Sequence, residues 1–399
     1  MTMVPRLTWV LRSFLDYRIP VFAHLDQLVN SQLHVVFPQG QTPERCRKKL
    51  RDVLGDRAVE MTGELSVGTN KPSRQFANAS WVVPYQPGLL RTIRDTRPDV
   101  VIGDGFFQWS VPALWYRVTR GIPLVLCYER TFHTERKAQW YRRGYRKLAA
   151  RYVDAVCCNG QLSRDYTESM GIPRDRITTG FMAADSANLQ RAVERVSSDE
   201  IERIRRQHRV EGLCYLFVGQ LVPRKGIREL LEAWTQFEKQ HASQATLLLI
   251  GDGDEGRELQ RITRERGLDH VRFVGPIDYD AIAPFYRLAD VVVMPTLEDN
   301  WSLVVPEAMA CGLPVLCSKY NGGSPDLIHD GENGWVFDPL STEDTTAALT
   351  MALDAGPRLR DMGCASYQIA GRFTPADAAR AVLDACELAR SHRARRGAS

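Results

Sequence analysis

The stretch VVVMPTLEDNWSLVVPEAMACGLPVLCSKYNGG, from Val291 to Gly323, limits the fold more than any other part of the chain. An apolar run, VVVMP, ends in a polar turn carrying Asp299, Asn300 and Ser302, and a helical segment opens near Pro306 with Glu307 in its first turn. Cys311-Gly312-Leu313-Pro314 then leads into a second apolar run, PVLCS. Strand, polar turn, helix and strand make one parallel crossover unit, and ligands of such sheets sit beyond the carboxyl ends of the strands. That places Asp299 and Glu307 at a ligand crevice.

The same rhythm extends in both directions. From Tyr215 the runs YLFVG, TLLLIG, VRFVG, VVVMP, PVLCS and GWVF are each followed by a turn and mostly by a helical segment, which predicts six strands of one parallel sheet. In the first half, Leu7–Phe14, Leu33–Phe37, the stretch Asp99–Gly105 running into a glycine-flanked turn, Pro123–Tyr128, Ala155–Cys158 and Ile177–Thr179 read as strands of another. The fold class is therefore α/β, with two Rossmann-like parallel-sheet domains. At 399 residues the chain is too long for a single core. The expected division is 1–190 and 191–373, with the amphipathic helix at about 375–390 packing back on the first domain and 391–399 a flexible tail.

Composition narrows the function. Nine cysteines lie scattered with no C-x-x-C pair, so they read as reduced, mostly buried thiols rather than a zinc or redox centre. No run of about 18 apolar residues occurs and the N-terminus lacks a signal-peptide pattern, so the expected location is cytoplasmic. Residues 1–190 hold 27 Lys+Arg against 17 Asp+Glu, while the remainder holds 25 against 31. A basic first half suits a phosphate-bearing acceptor or an anionic membrane surface at the inner face; the alternative is a solvated basic face.

Candidate residues follow from position. Arg18 opens a helix after the first strand and either grips an anionic group or caps a turn; Asp104 ends the strand DVVIGD at a glycine. His133 lies just past the carboxyl end of the strand Pro123–Tyr128, where a crevice residue belongs, although lone histidines also serve as surface or core fillers. Between Arg136 and Tyr152, tyrosines fall at helical spacing opposite a crowd of Arg and Lys, with Trp140 at the edge. This segment reads as an ordinary helix packed through its tyrosines or as one lying on anionic lipid.

In the second half, Phe217-Val218-Gly219-Gln220-Leu221-Val222-Pro223-Arg224-Lys225-Gly226 is a strand, a glycine turn and two cations before a helix, a combination suited to phosphate. The D-x-D spacing of Asp252 and Asp254 invites a metal reading. Both follow a strand in a glycine turn before a helix, where carboxylates satisfy free N–H groups, and the turn reading is preferred.

At these residues the chain resembles family 4 of the glycosyltransferases, of the two-Rossmann or GT-B type, in which the domains face each other across a cleft. The pieces VGQLVPRKG, IGDGDE, EDNWSLVVPEAMACGLPV and YNGGSPDLIHDGENGWVFDP carry the resemblance in the family's order across residues 215–340. It implies transfer of a sugar from a nucleotide-diphosphate donor to a sugar or lipid-linked acceptor, with retention, without a bound metal or a resident cofactor, in cell-surface polysaccharide or glycoconjugate synthesis. Nucleic acid is not an implied partner. By the family pattern Glu307 meets the donor ribose and Lys225 the pyrophosphate, with Arg224 supplying the charge that the family's usual arginine gives where this chain has Gln220. Gly219, Asp252, Asn300, Trp301, Ser302 and Leu303 line the donor site, His133 and Asp299 act at the reacting sugar, and Arg18 and Asp104 stand on the acceptor side. Three departures accompany the match: Asp299 stands where the first of two paired glutamates is usual, Gln220 where an arginine is common, and Arg18-Ile19-Pro20-Val21-Phe22 where a glycine pair follows the first strand. Competing readings are a sugar-nucleotide epimerase or phosphorylase on the same scaffold, or a non-catalytic nucleotide-sugar-binding protein.

Overall fold

The computed structural model describes residues 4–69, 81–241 and 244–397. The chain divides into two compact units, one made of most of the chain up to Ala184 together with the segment from Phe373 onward, the other of Asp185–Arg372.

The first unit holds a seven-stranded parallel sheet of β1 (Leu7–Val10), β2 (Leu33–Pro38), β3 (Ala58–Met61), β6 (Val100–Asp104), β7 (Leu124–Tyr128), β8 (Ala155–Cys158) and β9 (Ile177–Thr179). A separate antiparallel hairpin pairs β4 (Leu65–Thr69) with β5 (Trp81–Tyr85). The sheet order is β3-β2-β1-β6-β7-β8-β9, so the order reverses between β1 and β6, which run parallel with Leu7 opposite Val100 and Val10 opposite Gly103. Strands β1, β7 and β8 are buried along their whole length, as expected where helices cover both faces of a parallel sheet. The first strand stops at Val10, short of the expected Phe14, and β3 and the hairpin have no counterpart in the sequence reading.

The second unit holds the predicted six-stranded parallel sheet: β10 (Leu213–Val218), β11 (Ala245–Ile250), β12 (Val271–Gly275), β13 (Val291–Met294), β14 (Val315–Ser318) and β15 (Gly334–Phe337), in the order β12-β11-β10-β13-β14-β15. Here the order reverses between β10 and β13. The second helix of the unit, Ser198–Gln207, is capped by Ser197, whose hydroxyl accepts from the Glu200 N–H at 3.2 Å.

The helix Pro375–Gly397 belongs to the first unit and packs on the helix Arg18–Leu28 and on β7, β8 and β9. Ala378, Ala379, Val382, Ala385, Cys386 and Ala389 are fully buried in it, the small side chains allowing close approach. The Thr178 hydroxyl donates to the Ala381 carbonyl at 2.8 Å. Helix continues beyond residue 390, where the sequence suggests a tail, and Arg393 donates to the Gly121 carbonyl at 3.1 Å.

Candidate functional site

In the second unit, the sheet's reversal point brings together two loops that are seventy residues apart in sequence. After β10 comes a 3-10 turn, Pro223–Lys225, then the helix Ile227–His241, whose positive end abuts the turn. The turn is fastened to the segment after β13 by its backbone: the Arg224 carbonyl accepts from the Leu297 N–H at 2.9 Å and the Thr296 hydroxyl at 3.0 Å. Gly226 makes this approach feasible, for its φ is +69° and a Cβ there would fall 2.0 Å from the Pro295 carbonyl oxygen.

The fastening puts Lys225 against Asp299. Lys225 is buried, and its ammonium donates to Asp299 Oδ2 at 2.6 Å; Arg224 lies 3.9 Å from the same oxygen and 3.4 Å from Gln220 Oε1. Burial alone would disfavour the Asp299 charge, but Lys225 and Arg224 outweigh it and hold the carboxyl below its usual range. The other Asp299 oxygen accepts from the Trp301 N–H at 3.2 Å, and its backbone makes a short parallel bridge to Asn321. Asn321 is fully buried, and its Oδ1 accepts from the Gly323 N–H at 3.1 Å and, more weakly, from the Ser302 N–H at 3.5 Å. One amide side chain thus ties the loop after β13 to the loop after β14. Trp301 and Ser302 are buried in this arrangement, with Asn300 and Leu303 half-buried beside them.

Glu307 lies on the short helix Val304–Ala310, which opens two residues before Pro306. Its Oε2 accepts from the Tyr286 hydroxyl at 3.3 Å. Glu307 keeps partial solvent contact, yet the atoms packed around it deny its charge full hydration, and its pKa is pushed up to about 7 although Tyr286 and Tyr279 bond to the carboxylate. Asp299 and Glu307, eight positions apart, therefore have opposite electrostatics: one is ionised by its cations, the other is poised near neutrality.

Asp252 ends up in the turn after β11. Its Oδ1 accepts from the Gly253 N–H at 2.7 Å and its carbonyl from the Leu221 N–H at 2.9 Å, which ties this turn to the one after β10. Gly251 permits the contact, since a Cβ there would lie 1.9 Å from the Gly219 carbonyl oxygen.

In the first unit a cavity of about 730 Å³ lies at the other reversal point, lined by residues following β1 and β6. Arg18 and Asp104 meet there: the buried guanidinium is 3.1 Å from Asp104 Oδ2, and Asp104 Oδ1 accepts from the Trp9 indole N–H at 3.0 Å. Arg18 also lies over the rings of Trp9 and Phe181, which fixes its direction. Arg12, Arg130, Arg142 and Arg146 complete the cationic part of the lining. Arg146 is held by the buried Glu135, and Arg12 by Glu64 at 3.0 Å. Tyr128 and Tyr145 also line the cavity, and their hydroxyls are buried without a hydrogen-bond partner among the described residues.

His133 occupies the turn after β7, half-buried, and does not line this cavity. Its backbone is fixed by a reciprocal pair, with the Thr131 N–H donating to the Thr134 hydroxyl at 3.0 Å and the Thr134 N–H to that of Thr131 at 3.2 Å. The structure thus brings together Arg224, Lys225 and Asp299 in one unit and Arg18 and Asp104 in the other. Sequence reasoning missed Asn321, Tyr286 and the Arg146–Glu135 pair. Asn321 lies within the quoted YNGGSPD segment, where an asparagine before two glycines marks a side chain organising a turn.

Two parallel sheets, each with its candidate residues at the reversal point, define a GT-B-type α/β protein. The whole described architecture superposes on HepE of Anabaena, solved in complex with UDP, with a TM-score of 0.74 at 19% identity, covering 95% of this chain and 98% of that one. The chain belongs to the family 4 glycosyltransferases: residues 198–369 match the family described as glycosyl transferases group 1 and residues 27–179 that described as glycosyltransferase family 4. Among curated relatives, the D-inositol 3-phosphate glycosyltransferase 2 of Catenulispora acidiphila is 33% identical over 42% of this chain and 42% of its own length. The D-inositol 3-phosphate glycosyltransferase of Corynebacterium kroppenstedtii is 35% identical over 43% of this chain and 39% of its own. The matched segments thus span less than half of these two relatives.

Proposed function

We propose that this protein transfers a glycosyl group from a nucleoside-diphosphate sugar to an acceptor hydroxyl, with the second unit holding the donor and the first the acceptor. The observation that carries the reading is the fastening of the Arg224–Lys225 turn to the loop of Asp299, with Glu307 eight residues on. One sheet edge thereby offers cations for a diphosphate and a carboxylate that accepts from ribose hydroxyls. HepE, on the same fold, has been solved with UDP and with UDP-glucose.

On this reading the bond from the anomeric carbon to the diphosphate oxygen breaks as the acceptor oxygen bonds to that carbon. The acceptor proton passes to the departing diphosphate. Negative charge grows on the leaving group, and Lys225, Arg224 and the positive end of the helix Ile227–His241 are already oriented to meet it, so no bound metal is required. Attack on the face the diphosphate leaves gives retention, with His133 and Asp299 acting near the sugar. Asp299 serves a second purpose: it holds Lys225 in place until the diphosphate arrives. The arginines that line the cavity of the first unit suit an acceptor bearing an anionic group, as in synthesis of surface polysaccharide or glycoconjugate.

Calorimetric titration with UDP tests the donor side. Glu307→Ala should weaken binding by about 1–3 kcal/mol, the scale for hydrogen bonds to a charged group. Unchanged affinity in a folded variant would remove Glu307 from the site.

A further inference from the structure

The helix Trp140–Ala150 has two faces, and transfer chemistry uses only one. Tyr141, Arg142, Tyr145 and Arg146 line the cavity of the first unit. The other face is open: Trp140 is 84% exposed and Leu148 55%, and Tyr152 just beyond the helix is also exposed. The expectation of an ordinary helix packed through its tyrosines holds only for Tyr145, because Arg146, Ala149 and Ala150 take the buried positions. Arg146 can be buried since Glu135 neutralises it. From Arg136 to Tyr152 there is no acidic residue, and Arg143, Lys147 and Arg151 stand exposed among the apolar side chains.

A second apolar surface borders the same cavity. In the hairpin, Leu65 pairs with Tyr85 and Val67 with Val83, so the four share one face, and all are more than half exposed. Val83 also lines the cavity. A monomer leaves such a contiguous apolar face in water at a cost unless something covers it.

We propose that the first unit docks on an anionic lipid surface through the outer face of the helix Trp140–Ala150 and the apolar face of the hairpin. Tryptophan and tyrosine interleaved with Arg and Lys, with no carboxylate, match the boundary between headgroups and acyl chains. Each cation near anionic lipid adds to the attraction, and the aliphatic hairpin face gains from burial among acyl chains. A second copy of the chain fits less well, because a two-fold contact would set Arg143, Lys147 and Arg151 against their own kind. Nucleic acid would engage the cations but offers nothing to Leu65, Val67 and Val83. On the reading of the cavity as the acceptor side, docking presents that cavity to a lipid-borne acceptor; binding itself is independent of that reading.

The test is sedimentation of the full chain with vesicles of phosphatidylcholine mixed with phosphatidylglycerol, compared with phosphatidylcholine alone. The protein should sediment with the anionic vesicles at low salt and be released as salt rises. Trp140→Ser with Leu148→Ser, and separately Lys147→Glu with Arg151→Glu, should each lower partitioning on the order of tenfold or more at unchanged melting temperature. These four side chains do not line the cavity, so UDP affinity serves as a control that should not move. The proposal is overturned if wild-type protein stays in the supernatant at low salt. It is equally overturned if the folded variants bind as well as wild type, or if Trp140→Ser with Leu148→Ser instead turns an oligomer into a monomer.

Discussion

The two units solve the same topological problem with different materials. Each is a parallel sheet whose strand order reverses once, and each gathers charged residues at that reversal. In the second unit the gathering relies mainly on backbone hydrogen bonds between neighbouring turns and on close approaches that only glycine allows. In the first it relies on ion pairs between side chains, Arg12 with Glu64 and Arg18 with Asp104, which are far apart in sequence, and Arg146 with the nearer Glu135. The surfaces differ too. Among the described residues, the large apolar side chains left exposed in the second unit are Tyr279, Leu340, Met351 and Tyr367, which are scattered, whereas most of those of the first lie on the hairpin and on the helices Ser110–Arg120 and Trp140–Ala150.

The sharpest way to break this comparison is at His133. If the first unit acts on the reacting sugar while the second holds the nucleotide, His133→Ala should reduce turnover by on the order of a hundredfold while UDP affinity changes little. Near-normal turnover, or a lowered melting temperature instead, would return His133 to a packing role and move the assignment toward Asp104 and Glu129, both of which line the cavity of the first unit.

A smaller effect is expected at the Lys225–Asp299 pair. Asp299→Asn leaves a buried ammonium without its counter-charge and should destabilise the ligand-free protein by about 1–3 kcal/mol. Saturating UDP should recover much of that loss, since a diphosphate can take the carboxylate's place. A deficit that persists with UDP would mean that Lys225 does not face the diphosphate.

The Glu307 carboxyl gives a pH signature. Its pKa in the folded protein, about 7, lies above the ordinary glutamate value, so the folded state holds the proton more tightly than the unfolded chain. The stabilisation is fully present below the unfolded pKa of about 4.3 and is lost as pH rises through about 7, at most about 4 kcal/mol in all. Thermal unfolding of wild type and Glu307→Gln across that window should therefore diverge; parallel curves would show that Glu307 is not desolvated. Smallest of all is the expected effect of chelator. Activity should survive excess EDTA, and restoration by magnesium or manganese after loss would contradict the cationic account of the leaving group.

Much of the second unit was legible in the sequence because its six strands are mostly apolar runs, broken by a charge only at Arg272 in Val271–Gly275, and its site residues sit in the turns that end them. The tandem of Arg224 and Lys225, the loop Asp299–Leu303 and Glu307 are each within a few residues of a strand or helix boundary. Local pattern could show that these residues stand at the carboxyl edge. It could not show that Lys225 is paired with Asp299, or that Asn321 binds two loops together, because those contacts depend on which strands are neighbours. In the first unit the strands were legible apart from β3 and the hairpin, which are short or half-exposed and so lack a continuous apolar run.

The sequence by itself determined the class of fold, two parallel α/β sheets, and the kind of chemistry at each strand end, since hydrophobic periodicity and turn composition are local properties. Tertiary structure alone decided which charges are neutralised, which are poised, and which apolar side chains stay in water. The tyrosines of the helix Trp140–Ala150 show why. Their spacing is that of a buried face, but Arg146 with its partner Glu135, eleven residues away, takes the interior position and turns Tyr141 outward. Periodicity gives a helix its faces; the charges available to be buried against it decide which one points in.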